Sequence, residues 1–121
     1  MDYQGILDYF FYELELTEYD VESFLAFVLK KASLAEIEKI CSLPKEQILE
    51  YLKNIYAYDD EDLNNMSLED LRETVVFETE DEVYRVKSNY GFSVQIELIE
   101  LFGFKEEDIH NLFNEHFEFY D

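Results

Sequence analysis

The sequence contains few of the residues that cross-link or interrupt a chain: one cysteine, one proline and three glycines. The single cysteine, Cys41, cannot form an internal disulfide, which favours a reducing intracellular setting and a small core thiol. Few prolines and glycines, together with 48% hydrophobic and 17% aromatic residues, exclude the disordered class that a highly charged chain would otherwise suggest. We therefore predict one folded domain, residues 1–121, which can bury a core without staples.

Long apolar runs are also missing from the sequence. No stretch approaches the ~20 apolar residues that a membrane span needs. The N-terminus has no basic region followed by an apolar run, as a secretory signal would have. We therefore expect a cytoplasmic protein that does not contact membranes.

Basic residues are scarce, and this scarcity is uneven along the chain. Thirty Asp and Glu oppose nine Lys and Arg, a formal charge of −21. The acids form three blocks, residues 1–29, 57–82 and 106–121, in which Arg72 is the only Lys or Arg. A domain of this length is about 35 Å across, and duplex DNA carries one charge per ~1.7 Å of axis. The charge along this length is therefore about that of one turn of B-DNA. The alternative interpretation is that the acids form a solvated surface that keeps the protein soluble.

Apolar spacing predicts a mainly helical protein with one small β element. The predicted helices cover about 3–14, one starting at Thr17, one starting at Ser33, Pro44 to 55, a short one starting at Ser67, about 93–102, and about 106–118. Residues 74–79 and 83–88 are β-rich, and the acids between them make a plausible tight connection, so the sequence predicts an antiparallel β-hairpin near 74–88. The expected fold class is α+β: a compact bundle of six to seven short helices, including helix-turn-helix-like hairpins, with that β-hairpin.

Residues 33–55 carry the clearest helix-turn-helix pattern, with Ile37 and Ile40 inward, a turn at Leu43-Pro44, and Ile48 on the next helix. This segment resembles the tri-helical DNA-binding family. Non-specific DNA affinity comes almost wholly from neutralising phosphates, so a domain with 21 excess negative charges would be repelled from DNA. We therefore expect no direct binding to nucleic acid.

The sequence offers no arrangement typical of catalysis or of metal binding. His110 and His116 lie six apart on one predicted helix, and therefore on opposite faces. A calcium-loop register starting at Asp60 fails, because Asn65 stands in place of the required Gly and Leu71 in place of the bidentate acid. We predict no enzyme activity, no catalytic residues, no cofactor and no built metal site.

Recognition of a basic protein remains the best interpretation of the acidic blocks. Carboxylates three or four residues apart on a helix lie about 6 Å from one another, and Tyr and Phe are interleaved with them, as in interfaces that aromatic residues anchor. The candidate partner-binding residues share this acidic or aromatic character: Glu15, Glu18, Glu22, Tyr58, Asp59, Asp60, Glu61, Asp62, Glu80, Asp81, Glu82, Glu115, Glu118 and Tyr120.

In its composition the whole chain resembles the DNA-mimic inhibitors of phages and mobile elements, such as anti-CRISPR and anti-restriction proteins. That resemblance implies an acidic surface that occupies the positive groove of a nucleic-acid enzyme, in the host cytoplasm if the protein is phage-encoded. An immunity protein against a basic nuclease toxin, and a helix-turn-helix-derived regulator that acts by protein contact, are the alternatives. A homodimer is also compatible with the sequence.

Overall fold

The computed structural model describes residues 3–117 and shows a helical protein. Its elements in chain order are α1 (Tyr3–Asp8), a π-helical segment (Tyr9–Glu13), α2 (Glu18–Cys41), α3 (Lys45–Tyr56), α4 (Asp60–Asn64), α5 (Leu68–Asn89), α6 (Phe92–Leu101) and α7 (Glu106–His116). None of these helices is both long enough and apolar enough to cross a membrane.

Several predicted helix ends are confirmed, because they depend on residues that are close in sequence. At the start of α2, Thr17 Oγ1 accepts a hydrogen bond from Asp20 N–H at 3.1 Å, and Asp20 Oδ2 accepts one from Thr17 N–H at 3.1 Å. Ser67 and Asp70 form the same reciprocal capping box at the start of α5. Gly103 follows α6 with a φ of 92°, a left-handed conformation that glycine adopts without steric cost.

The predicted β-hairpin near 74–88 is wrong, and so is the α+β fold class. Residues 74–88 lie within the continuous helix α5, and no residue of 3–117 is in a strand. Leu71, Val75 and Thr79 are four residues apart on one face of α5 and are fully buried. The free energy gained by burying this face exceeds the cost of placing β-branched residues in a helix. That cost is at most about 0.7 kcal/mol for each residue. The acids at 80–82 also lack the Gly or Asn that a tight hairpin turn requires.

The predicted helix start at Ser33 is also wrong. Ser33 is buried inside α2, which runs unbroken for 24 residues. Its hydroxyl donates a hydrogen bond to the Lys30 carbonyl at 2.9 Å, so it is satisfied within the helix and does not cap a new one. The helix-turn-helix pattern therefore corresponds to the end of a long helix followed by α3, joined through residues 42–44.

Helices α2 and α5 pack along each other in antiparallel directions and connect two apolar clusters. At one end of the pair, Arg72 Nε donates a hydrogen bond to the Cys41 carbonyl at 3.1 Å. The first cluster includes buried residues of α1, α2, α6 and α7, and the second joins the end of α2 to α3, α4 and the start of α5. Between the clusters the α2–α5 pair carries buried polar residues instead, namely Ser33, Glu36 and Thr79. Glu36 of this polar layer also lines the cleft described below.

Candidate protein-binding surface and cleft

The acidic candidates nearest the N-terminus lie around the start of α2. Glu15 is exposed in the connection before the helix, with a φ of 52°, and Glu18 and Glu22 are exposed on the first turns of α2. Glu22 and the exposed Tyr19 line a shallow depression with Lys87, near the end of α5. This acidic group therefore lies beside α5.

The cluster Asp59–Asp62 lies at the start of α4, where it stabilises the helix that contains it. Asp59 occupies the N-cap position and the other three acids form the first turn, where negative charge is favourable. All four are exposed. Asp60 pairs with Lys53 of α3 at 2.9 Å, so one of these charges is already partnered.

Tyr58 is half-buried beside the second apolar cluster, just before α4. Its hydroxyl donates a 2.6 Å hydrogen bond to Glu78 Oε1 of α5. The pKa of Tyr58 is raised to about 12, and this hydrogen bond is the largest cause, with burial of the phenol the second. The residue therefore connects α5 to the chain segment between α3 and α4.

Glu80 and Asp81 lie in the middle of α5 and share one solvent-facing side with two aromatic residues that the sequence prediction did not select. Phe77, Glu80, Asp81 and Tyr84 follow the i, i+3, i+4, i+7 spacing of a single helix face. Phe77 is 65% exposed and Tyr84 is 71% exposed. Within residues 3–117, neither Glu80 nor Asp81 has an ion-pair partner within 4.0 Å. We call these four residues the α5 face.

The third acid of this group, Glu82, points away from the α5 face. It is half-buried and accepts a charge-assisted hydrogen bond from Arg85, three residues further along the helix. The prediction thus grouped three consecutive acids, whereas the helix places the third on another side. The spacing of Phe77 and Tyr84, seven residues apart around Glu80 and Asp81, was the available signal, but a helix had to be assumed before it could be recognised.

At the C-terminal end, Glu115 is exposed on the last turn of α7. Glu118 and Tyr120 lie outside the described residues. His116 packs against the rings of Phe24 and Phe27, at 5.7 and 5.0 Å between centroids. His110 lies at the surface, 3.6 Å from Glu106. Across residues 3–117, no group of three or more His, Cys, Asp or Glu side chains is placed to hold a metal ion.

A cleft of about 580 Å³ opens on one side of α5, and Glu36 of the polar layer is part of its lining. Helices α2, α3, α5 and α6 line it. Its lining side chains are apolar, phenolic or charged: Ile55, Ala57, Leu98, Leu101 and Phe102; Tyr51 and Tyr56; and Glu36, Glu78, Asp81, Glu82 and Arg85. Four carboxylates against one guanidinium make the cleft strongly negative.

Tyr51 and Tyr56 form the phenolic part of the cleft, with ring centroids 5.9 Å apart and ring planes at 70°. The pKa of Tyr51 is raised. Burial of its phenol is the largest cause, and the electrostatic effects of Tyr56 and Glu36 are smaller causes. Burial is also the largest cause of the raised pKa of Tyr56. Both rings are therefore neutral at physiological pH and have intact hydroxyl donors.

Thr79 is completely buried near these two rings. Its hydroxyl lies close enough to both phenols to favour their ionised forms and partly offset their raised pKa values. Among residues 3–117, however, Thr79 Oγ1 has no partner with full hydrogen-bond geometry. An unpaired buried hydroxyl is unusual, and it marks the layer beneath the cleft as incompletely satisfied.

Comparison with known proteins finds no matching family model, no significantly similar curated protein and no significantly similar solved structure. The functional argument therefore depends on the surface and the cleft of this chain.

Proposed function

We propose that this protein is an acidic inhibitor that binds a basic protein through the α5 face and occupies the positively charged groove in which that protein holds nucleic acid. The observation that carries the proposal is the pair of exposed aromatic residues, Phe77 and Tyr84, on either side of the exposed carboxylates of Glu80 and Asp81. Aromatic residues supply most of the binding energy in protein interfaces, while surrounding charges supply the association rate and specificity.

The geometry of α5 suits this role because the face is rigid and its spacing is regular. Phe77 and Tyr84 are seven residues apart, about 10 Å along the helix axis at 1.5 Å per residue. The opposite side of α5 is anchored by buried Leu71, Val75 and Val86. The backbone of the face is therefore ordered before a partner binds, so less binding free energy is lost to ordering the backbone.

The charge of the chain supports the same proposal at longer range. Helix α5 alone carries seven acids and three bases, and the whole chain has a formal charge of −21. A field of this strength accelerates encounter with a basic groove and is weakened by salt. The Lys and Arg side chains that normally contact phosphates would instead contact these carboxylates.

The experiment is capture of a basic nucleic-acid enzyme by the immobilised chain, followed by assay of that enzyme's nucleic-acid binding with the chain added. We expect the captured enzyme to be released at high salt. We also expect the enzyme to lose nucleic-acid binding in proportion to the amount of this chain that is added. Replacing Phe77 and Tyr84 together by Ala should weaken affinity at least about thirtyfold, as expected when hot-spot side chains are removed. The control is Tyr12→Ala with Tyr19→Ala, which removes two equally exposed rings elsewhere.

A charge-matched pair of variants separates the α5 face from net charge alone. Glu80→Gln with Asp81→Asn removes two charges from the face, and Glu61→Gln with Asp62→Asn removes two exposed charges from α4 without touching the Asp60–Lys53 pair. We expect the first variant to weaken binding more than the second. Equal weakening, or capture that does not depend on salt, would contradict the proposal.

A further inference from the structure

The cleft beside α5 contains a buried carboxylate that the described part of the chain does not neutralise by close contact. The side chain of Glu36 is only 7% exposed, and its one ion-pair neighbour is Lys39 at 4.0 Å, whose own side chain is 69% exposed. Within residues 3–117, no hydrogen bond to the Glu36 carboxylate is present. The carboxylate is therefore largely buried, keeps a small opening to the cleft and has only a long ion pair, so a cation that enters the cleft gains by approaching it.

The walls of the cleft are suited to a cation with an apolar stem. Tyr51 and Tyr56 present neutral aromatic rings next to Glu36, and a cation within about 6 Å of such a ring is attracted by its π face. Leu98 and Leu101 of α6, with Phe102 directly after it, supply apolar surface on the other wall. The volume of about 580 Å³ lies within the ~300–1,000 Å³ of typical ligand pockets.

Arg85 indicates which cation fits best. Its guanidinium lines the cleft and donates a hydrogen bond to Glu82 at the rim, and three further carboxylates remain in the lining. A guanidinium is planar, donates several hydrogen bonds in a fixed geometry, stacks on aromatic rings and is more weakly hydrated than an ammonium group. Arginine therefore satisfies both the phenolic wall and the carboxylates better than lysine does.

We propose that the cleft binds one arginine side chain of the basic partner protein, with its guanidinium beside Glu36 and against the rings of Tyr51 and Tyr56 that line the cleft. This inference rests on the proposed function, because the arginine is supplied by the protein that the α5 face contacts. Asp81 belongs both to that face and to the cleft, so a single partner can engage both.

The test uses the isolated chain and needs no partner. N-acetyl-arginine amide is titrated into the ¹⁵N-labelled protein, and the matched probe is N-acetyl-citrulline amide, which has nearly the same shape without the charge. We expect backbone amide signals around Tyr51, Tyr56 and Leu101 to shift with the arginine probe and not with the citrulline probe. Equal shifts with both probes, or no shift at these residues, would overturn the assignment. Tighter binding of N-acetyl-lysine amide would overturn the choice of arginine.

Two variants identify the carboxylate and guard against simple misfolding. Glu36→Gln should lower the affinity for the arginine probe about tenfold, which is the effect of losing one charge-assisted hydrogen bond. Glu50→Gln, at an exposed site on α3 outside the cleft, should leave that affinity unchanged. Arg85→Gln removes the guanidinium that already lines the cleft, at an exposed position, and should raise the affinity for the arginine probe. Unchanged affinity in both Glu36→Gln and Arg85→Gln would refute the site.

The outcomes of this titration and of the capture experiment are independent. If the arginine probe binds the cleft but no basic protein is captured in a salt-dependent way, the proposed function fails and the cleft remains an arginine site. If capture succeeds through the α5 face but the probe does not bind, only the cleft assignment fails.

Discussion

Tyr58 shows how one side chain of this protein connects charge, pKa and stability. Its hydroxyl donates to the half-buried Glu78 carboxylate at 2.6 Å, which raises the pKa of the phenol to about 12 from an ordinary value of 10.0. Below pH 10 the phenol is protonated in both the folded and the unfolded chain, so the contribution of the hydrogen bond to stability is fully present. Between pH 10 and about 12 the unfolded chain loses this proton and the folded chain keeps it, so stability falls.

We predict that the free energy of unfolding decreases between pH 9 and pH 11 and that Tyr58→Phe removes part of this decrease. The variant should also cost about 1 kcal/mol at neutral pH, because it removes one hydrogen bond and leaves Glu78 without its donor. Urea denaturation at pH 7, pH 9 and pH 11 measures both effects. Tyr12→Phe, at an exposed tyrosine, is the control. A pH dependence identical in Tyr58→Phe and the parent chain would contradict the assigned cause.

At the residue scale, the sequence prediction succeeded where the partners are local. Asp20 and Asp70 cap the helices that follow Thr17 and Ser67, because each pair spans only three residues. Glu36, Tyr51 and Tyr56 were not selected as site residues, since nothing in their spacing indicates that α2 and α3 bring them together. Their proximity depends on how the two helices pack, which local patterns do not encode.

Helix α5 is the element whose conformation the sequence left most open. Four of the residues from Thr74 to Thr79 are β-branched, which favours a strand. Leu71, Val75 and Thr79 are spaced four residues apart, which favours a helix with one buried face. Packing against α2 favours the second alternative, because the helix buries Val75 and Thr79 together on one side. The same choice places Phe77 and Tyr84 together on the opposite side.

We predict that Glu80→Pro destabilises the protein by about 3 kcal/mol or more, because proline in a helix interior removes a backbone hydrogen bond and clashes with the preceding turn. In a hairpin with its turn at 80–82, the same substitution would be tolerated. Glu80→Ala, which removes the charge and keeps the helix, is the matched control and should change stability little. Urea denaturation of the three proteins gives the comparison. A loss in Glu80→Pro no larger than in Glu80→Ala would argue against the helix.

At the scale of the whole molecule, the excess of 21 negative charges acts against the compact state. Few ion pairs offset it, since those between lysine or arginine and carboxylates within residues 3–117 are Lys39–Glu36, Lys53–Asp60 and Arg85–Glu82. Folding therefore brings like charges together with little local compensation. Two buried apolar clusters must provide the opposing free energy.

We predict that the melting temperature rises by several degrees between 10 mM and 150 mM sodium chloride. The screening length falls from ~30 Å to ~8 Å over this range, and a gain of 1 kcal/mol raises Tm by about 4 °C in a domain of this size. Differential scanning calorimetry measures the shift, and potassium chloride at equal concentration controls for ion-specific effects. A Tm that falls with salt would mean that attractive pairs outweigh the repulsion.

The sequence by itself determined the charge, the absence of an internal disulfide and the capped helix starts, because each depends on composition or on residues within one helical turn. The tertiary structure alone decided that residues 74–88 are helical, that α2 continues through Ser33, and that Glu36 meets two tyrosines in a cleft. These features depend on which surfaces are buried against each other. Burial of the α2–α5 contact overrides local propensity and, by using one side of α5, leaves the acidic and aromatic side exposed to solvent.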